Sequence, residues 1–204
     1  MSTHSQLITQ TSAQSLVPKH LEDLIRSIKI LIVDDDYHMR KVVRTMLSAI
    51  GVREIYDASD GMSGLQTICA IIPDIVILDW EMPQVDGAEF VRTVRKPDSF
   101  PVSNVPIIVL TGHGERKCVV EAMQLGANEY LLKPVSTKAL YDRLASVLAK
   151  PRPMIRSGNY YGPMPRKGAI GVNQADAVAI NSQTGYEDRQ DRDQRENLDD
   201  IILI

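Results

Sequence analysis

Apolar residues along this chain recur with two alternating rhythms. Lys29-Ile30-Leu31-Ile32-Val33, Ile75-Val76-Ile77-Leu78 and Pro106-Ile107-Ile108-Val109-Leu110 are short, nearly continuous apolar runs. Each is too short for a free-standing helix and predicts a strand buried on both faces. Arg53 to Tyr56 and Tyr130-Leu131-Leu132 predict two shorter strands. Between these runs the apolar positions fall at a helical period. Met39, Val42, Val43, Met46, Leu47 and Ile50 form a stripe that Gly51 ends, and Asp60-Gly61 opens a helix carrying Leu65, Ile68 and Cys69 that stops before Pro73. Asp86-Gly87-Ala88-Glu89 has the spacing of a capping box, with Phe90, Val91 and Val94 on the inward side. After a Pro-containing loop from Lys96 to Asn104, Glu115 to Leu125 predicts a helix with Val119, Ala122 and Met123 inward and Gly126 as its stop. A last helix runs from about Ser136 to Ala149, with Leu140, Leu144, Val147 and Leu148 on one face. Repeated strand and helix alternation, with right-handed crossovers, predicts an α/β domain: a parallel sheet covered by helices on both faces.

The flanks differ. Residues 1–17 are rich in Ser, Thr and Gln and predict disorder, whereas Leu21, Leu24, Ile25 and Ile28 after Pro18 have the spacing of a short helix over 19–28. From Lys150 on, Pro151, Pro153, Pro163 and Pro165 alternate with Arg, Gly and Tyr, and a mixed-sign charge run follows from Glu187 to Glu196. No apolar period is sustained there, so residues 150–204 read as a low-complexity, disordered tail without a DNA-binding unit. Arg152, Arg156, Arg166 and Lys167 around Tyr160-Tyr161 could contact RNA or an acidic partner. Ile201-Ile202-Leu203-Ile204 reads as a docking peptide, a quality-control tag or nothing.

A length of 204 residues with 44% hydrophobic content allows one ordinary domain plus extensions. The net charge of −3 gives no general attraction to nucleic acid or anionic membrane. Met1 to Gln14 lack the basic start and apolar run of a secretory signal, and no apolar stretch is long enough to span a bilayer, so a cytoplasmic protein without membrane insertion is expected. Cys69 and Cys118 have no paired spacing for metal or redox work and are expected to be buried free thiols.

Candidate chemistry gathers at the ends of the strands. Val33 runs into Asp34-Asp35-Asp36, Leu78 into Asp79-Trp80-Glu81-Met82-Pro83, Leu110 into Thr111-Gly112, and Leu132 into Lys133-Pro134. Parallel neighbouring strands would bring all of these groups to one edge of one sheet, where open α/β sheets place their chemistry. Taken singly, each has a plain alternative: Asp79 and Thr111 as turn or helix caps, Lys133-Pro134 as a strand end, the Asp triplet as a solvated turn. Asp36 reads as an acid at a helix N-terminus, favoured by the dipole.

Together these motifs resemble the receiver domain of two-component response regulators over residues 29–149. Their order, each at the end of the expected strand, makes the resemblance specific. It implies a flavodoxin-like fold of the CheY type with strand order 2-1-3-4-5. It implies that Asp79 is the phosphoacceptor, attacking a phosphohistidine on a partner kinase to give an acyl phosphate. Two unit charges about 4 Å apart cost on the order of 4 kcal/mol at an effective dielectric of about 20, so a pocket of three carboxylates calls for a dication. Asp34, Asp35, Asp79 and the backbone carbonyl of Glu81 would supply hard oxygen ligands for Mg²⁺. Lys133 would pair with the phosphoryl group and the Thr111 hydroxyl would donate to it. Thr111 and Tyr130 would form a switch, with Tyr130 turning inward and reshaping the face built by the fourth helix, fifth strand and fifth helix of the domain. Val135 departs from the aromatic that many receivers carry after Lys-Pro, and Glu81 and His113 occupy positions that in this family modulate hydrolysis of the acyl phosphate.

The resulting expectation is a stand-alone response regulator, not an enzyme in the turnover sense. It is phosphorylated by a histidine kinase or histidine phosphotransfer protein and acts by binding a protein target, with a phosphorylation-dependent homodimer as one possible outcome. A relay shuttle is the alternative within the class. From a different class, Asp34-Asp35-Asp36, Thr111 and Lys133 also resemble the motifs of haloacid-dehalogenase-type phosphohydrolases, with Asp34 as nucleophile. That reading leaves Asp79 without a role, places Tyr37-His38 where a small turn is expected, and supplies no late acidic pair. A degenerate receiver used as a scaffold is disfavoured because no member of the acid pocket is missing.

Overall fold

In the computed structural model, residues 19–112 and 116–166 are described. The readings for residues 1–17, His113, Lys167, the 187–196 charge run and the C-terminal aliphatic residues lie outside them. The elements in chain order are α1 (Lys19–Ser27), β1 (Lys29–Val33), α2 (Tyr37–Ile50), β2 (Glu54–Ala58), α3 (Gly61–Ile71), β3 (Ile75–Asp79) and α4 (Gly87–Val94). They continue with β4 (Ile107–Thr111), α5 (Arg116–Gln124), β5 (Glu129–Leu132), α6 (Thr137–Ala149), β6 (Met154–Ser157) and β7 (Tyr160–Pro163).

The first five strands make one parallel sheet in the order β2-β1-β3-β4-β5, the flavodoxin-like arrangement the resemblance implies. Every residue of β3 and β4 is buried, which is why those runs are continuously apolar instead of alternating. Successive side chains point to opposite faces and feed two cores. Leu31, Val33, Val76, Leu78, Ile107 and Val109 pack with Ile68, Phe90, Val91, Val94 and Ala122 from α3, α4 and α5. Ile30, Ile32, Ile75, Ile77, Ile108 and Leu110 pack with Leu21, Ile25, Val43, Leu47, Leu140 and Leu144 from α1, α2 and α6. The N-terminal helix is therefore part of the second core.

Side-chain caps fix where the helices begin. Asp36 accepts from the His38 N–H at 2.7 Å, Asp60 from Ser63 at 2.8 Å, Asp86 from Glu89 at 2.8 Å and Ser136 from Ala139 at 3.1 Å. Gly51 ends α2 with φ 111°, in the left-handed region, its N–H donating to Leu47 and Ser48 carbonyls.

Two expectations are corrected. Cys69 is exposed and Cys118 only partly buried. The buried side of α3 is Gly61, Gly64 and Ile68, and Cys69, one residue past Ile68, is rotated about 100° away from it. The larger correction concerns the tail. Residues 154–163 form an antiparallel β6–β7 hairpin, closed at Ser157↔Tyr160 and docked on the domain.

The hairpin has little apolar core of its own, which is why periodicity does not reveal it. Polar contacts hold it instead. Arg152 donates to the carbonyls of Asn128 and, at 3.1 Å, Met164. Tyr161 donates to Asn104, Arg156 pairs with Asp98 at 2.7 Å, and Arg166 pairs with Glu129. Two glycines permit the close approach: a Cβ on Gly126, at φ 100°, would lie 2.8 Å from the Tyr161 carbonyl, and one on Gly162 would lie 2.8 Å from the Gly126 Cα. Beneath the hairpin Arg95 is buried, donating to Gly126 at 2.9 Å, Ser103 at 2.5 Å and Asn128 at 3.1 Å. Burial pulls its pKa down to about 10, against the opposing influence of Tyr160 and Tyr161, and it remains a cation at neutral pH.

Arg152→Ala is expected to lower the unfolding free energy by about 1–3 kcal/mol in urea denaturation, because the buried Asn128 carbonyl loses its donor. Trypsin should spare the Arg156–Ser157 bond in the native protein; cleavage there as fast as in the unfolded chain would contradict a docked hairpin.

Candidate functional site

Because β1, β3, β4 and β5 run parallel, their carboxyl ends deliver side chains to one edge. Asp79 closes β3 and is 5% exposed; Asp34, directly after β1, is fully buried. The ladder continues past the acid, with Trp80 N–H donating to the Leu110 carbonyl at 2.8 Å. On the other side of β4, Lys133 N–H donates to the Thr111 carbonyl at 2.8 Å, so Lys133 is placed by the strand end next to it. Thr111 itself is buried.

The Lys133 ammonium lies 2.9 Å from Asp79 and 3.3 Å from Asp34. Carboxylate oxygens of Asp34, Asp35 and Asp79 all lie within 4.8 Å of one another. Asp34 and Asp79 form the buried floor, and Asp35 is exposed at the rim. Of the Asp triplet the fold thus takes the first two into the cluster and spends the third, Asp36, on capping α2.

Backbone anchors hold the floor in place. Asp34 accepts from the Asp36 N–H at 2.8 Å, and the Glu81 N–H approaches Asp79 at 3.5 Å. Arg40 donates to the carbonyls of Asp34 at 2.6 Å and Asp35 at 3.1 Å, bracing the loop that carries both acids. Sequence reasoning misses Arg40: one arginine near the start of an amphipathic helix carries no signal distinguishing a loop brace from a solvated charge. Gly87 is required by proximity, since a Cβ there would sit 2.8 Å from the Trp80 Cα. That contact seats α4 against the loop after Asp79, and Gly87 N–H donates to the Trp80 carbonyl at 3.0 Å.

The electrostatics follow from burial. Asp34 has a raised pKa, first through desolvation and then through the charge of Asp79, with Lys133 pulling the other way. Asp79 is raised by desolvation, against its hydrogen bond to Lys133. Burial works against the Lys133 charge, but its hydrogen bond to Asp79 and the two nearby carboxylates prevail and raise its pKa. Two buried acids and one cation leave excess negative charge facing the rim. A hard oxygen donor set with that charge fits a small dication.

Tyr130 lies away from the acids. It pairs in register with Val109, while Thr111 pairs with Leu132. Thr111 is two residues beyond Val109 on β4, so it shares a face of the sheet with Tyr130, about 7 Å further along. Tyr130 is half-buried, and the Arg143 guanidinium sits 5.9 Å from its ring centroid.

The chain resembles known proteins in sequence and fold. The chain is 41% identical over 128 residues to the probable transcriptional regulator ycf27 of Guillardia theta, covering 63% of this chain and 48% of that protein, so it spans about half of that relative's length. It is 30% identical over 127 residues to the chemotaxis protein CheY-3 of Vibrio cholerae, covering 62% of this chain and 96% of that one. The solved structure of Vibrio cholerae chemotaxis protein CheY4 superposes with a TM-score of 0.53 at 32% identity, covering 59% of this chain and 98% of that chain. Residues 30–145 match the response regulator receiver domain family, a span that includes the acid cluster, Thr111 and Lys133 and excludes α1 and the β6–β7 hairpin. With more than half of its residues in that match, the chain belongs to the response regulator receiver domain family.

Proposed function

We propose that this chain accepts a phosphoryl group on Asp79 from a phosphohistidine of a histidine kinase or phosphotransfer protein, and signals by binding a protein target. The observation that carries the reading is the buried Asp79 carboxylate 2.9 Å from Lys133, beside Asp34 and Asp35 at one sheet edge. An Asp79 oxygen forms the new bond to phosphorus as the P–N bond of the donor breaks. The electron pair of that bond goes to the imidazole nitrogen, leaving an acyl phosphate and a histidine. Lys133 shifts from the carboxylate to a phosphoryl oxygen, and the Thr111 hydroxyl donates to another. Asp34, Asp35, Asp79 and the Glu81 backbone carbonyl would hold Mg²⁺, which when bound neutralises the carboxylates and the transferring group. Arg40 keeps Asp34 and Asp35 in place through their carbonyls.

Thr111 and Tyr130, on one face of β4 and β5, form the switch, and the surface of α5, β5 and α6 is the readout, for a protein target or for a second copy of the chain. In the hydrolase alternative Asp36, two residues after the nucleophile Asp34, would be the acid/base; that reading loses support because Asp36 caps α2 and stands outside the carboxylate cluster.

Acetyl phosphate with Mg²⁺ should give a single phosphoryl adduct by intact mass, absent in Asp79→Ala; an adduct that survives there and is lost in Asp34→Ala would favour the hydrolase. Mg²⁺ affinity, followed through the fluorescence of Trp80, should begin to fall on acidification before the ordinary aspartate range at about 3.9 is reached, because burial raises Asp34 and Asp79. An affinity that stays flat until the ordinary aspartate range is reached would contradict this.

Without metal the sign reverses for stability. A raised folded pKa means that the protonated form is favoured on folding, so the contribution is full below the unfolded value and lost as pH rises through the folded one. Asp79→Asn should therefore stabilise the metal-free protein at pH 7 by on the order of 1 kcal/mol, about 2–4 °C in midpoint. A lower midpoint would mean that pairing with Lys133 outweighs desolvation.

A further inference from the structure

The two ends of the hairpin grip the residues that directly precede Tyr130. Arg152, before β6, donates to the Asn128 carbonyl, and Arg166, after β7, pairs with the Glu129 carboxylate. Glu129 is the first residue of β5 and is buried; Ser146 of α6 also donates to its Oε1, at 2.9 Å. Its other oxygen, Oε2, faces Arg143 at 3.9 Å. That same Arg143 guanidinium lies 5.9 Å from the Tyr130 ring centroid. A continuous set of contacts thus runs from the hairpin through Glu129 and Arg143 to Tyr130.

Arg143 is not well satisfied in this position. Its contacts to the carboxylate and to the ring are both long, and its buried Nε has no hydrogen-bond partner among the described residues. Three arginines, Arg143, Arg152 and Arg166, converge on a region with one buried carboxylate. The cations compete for it. An arginine held between two acceptors has a second position available, closed fully on Glu129, once the ring that holds it leaves.

We infer that the β6–β7 hairpin is a built-in clamp on the Tyr130 switch, so that hairpin docking and inward rotation of Tyr130 oppose each other. The inference rests on Tyr130 being the switch residue of the proposed function. With the hairpin docked, Arg166 and Ser146 occupy the Glu129 carboxylate and Arg143 stays over the Tyr130 ring. When Tyr130 turns inward, Arg143 closes on Glu129 and Arg166 loses its hold. By reciprocity, whatever releases the hairpin favours the inward state and strengthens phosphoryl binding at Asp79. The hairpin lies outside residues 30–145, so the clamp is an addition to the shared domain.

The test uses the full chain with Mg²⁺ and beryllofluoride, a mimic of the aspartyl phosphate, in two measurements. Hydrogen exchange across residues 154–163 should speed up when beryllofluoride binds; this needs no substitution. Beryllofluoride affinity, read from Trp80 fluorescence, should rise about fivefold, the lower end of allosteric couplings, in Arg166→Ala. It should rise similarly in Gly162→Ala, whose added Cβ would meet the Gly126 Cα at 2.8 Å and displace the hairpin without touching Glu129. The gain should vanish when either change is combined with Tyr130→Leu. Wild-type binding with unchanged exchange and equal affinities in both variants would overturn the clamp alone. No beryllofluoride binding by the wild type would overturn the phosphoacceptor reading, and the clamp with it.

Discussion

Two aspartates are buried side by side at the end of a parallel sheet, and one lysine lies against both of them. Most of the architecture serves that contact. Carboxylates resist burial, and like charges in a shared pocket resist it more. The arrangement persists because strands buried on both faces give the sheet edge no freedom to relax away, while backbone donors and Lys133 offset part of the cost. The residual negative charge suits the pocket to a small cation. Arg40 and Gly87 act on the same constraint from outside, one tying down the loop after β1 and the other letting α4 approach the loop after β3.

At the opposite end of the central strands a second polar problem is solved differently. Arg95 is buried among carbonyl oxygens, and the β6–β7 hairpin shields it. This end buries the Arg95 guanidinium. Its charges are enclosed by a segment whose own stability comes from docking, through Arg152, Tyr161 and Arg166. A small hairpin alone is marginal in water, so its residence on the domain can be tuned by one carboxylate, Glu129, next to Tyr130. The acid edge and the hairpin end are linked through β5, which carries Glu129 at its start and leads into Lys133 at its finish.

Between residues 19 and 149 the order of elements was legible in the sequence, and the sheet order and the membership of the acid cluster followed from the family resemblance. Ile75-Val76-Ile77-Leu78 could only be a strand buried on both faces, and Asp79 could only stand at its carboxyl end. Asp86 with Glu89 marked the start of α4, and Gly51 the end of α2, since each serves a local backbone need that few residue types meet. Arg40 and Glu129 were not legible: an arginine on an amphipathic helix and a glutamate before a strand look like solvated charges until their partners are in place. Cys69 was misplaced because residues adjacent on a helix face different directions.

What the sequence determined by itself was therefore everything governed by short-range periodicity: where strands and helices lie, which residues close them, and which charged groups reach one sheet edge. Only the tertiary structure decided how those groups divide the work. It made Arg40 the brace of the loop that carries Asp34 and Asp35, buried Arg95, and turned residues 154–163 into a docked hairpin. The physical reason is that such outcomes depend on hydrogen bonds and ion pairs between residues distant in the chain. Arg152 with Asn128, Arg166 with Glu129 and Lys133 with Asp34 leave no periodic trace in the order of the residues.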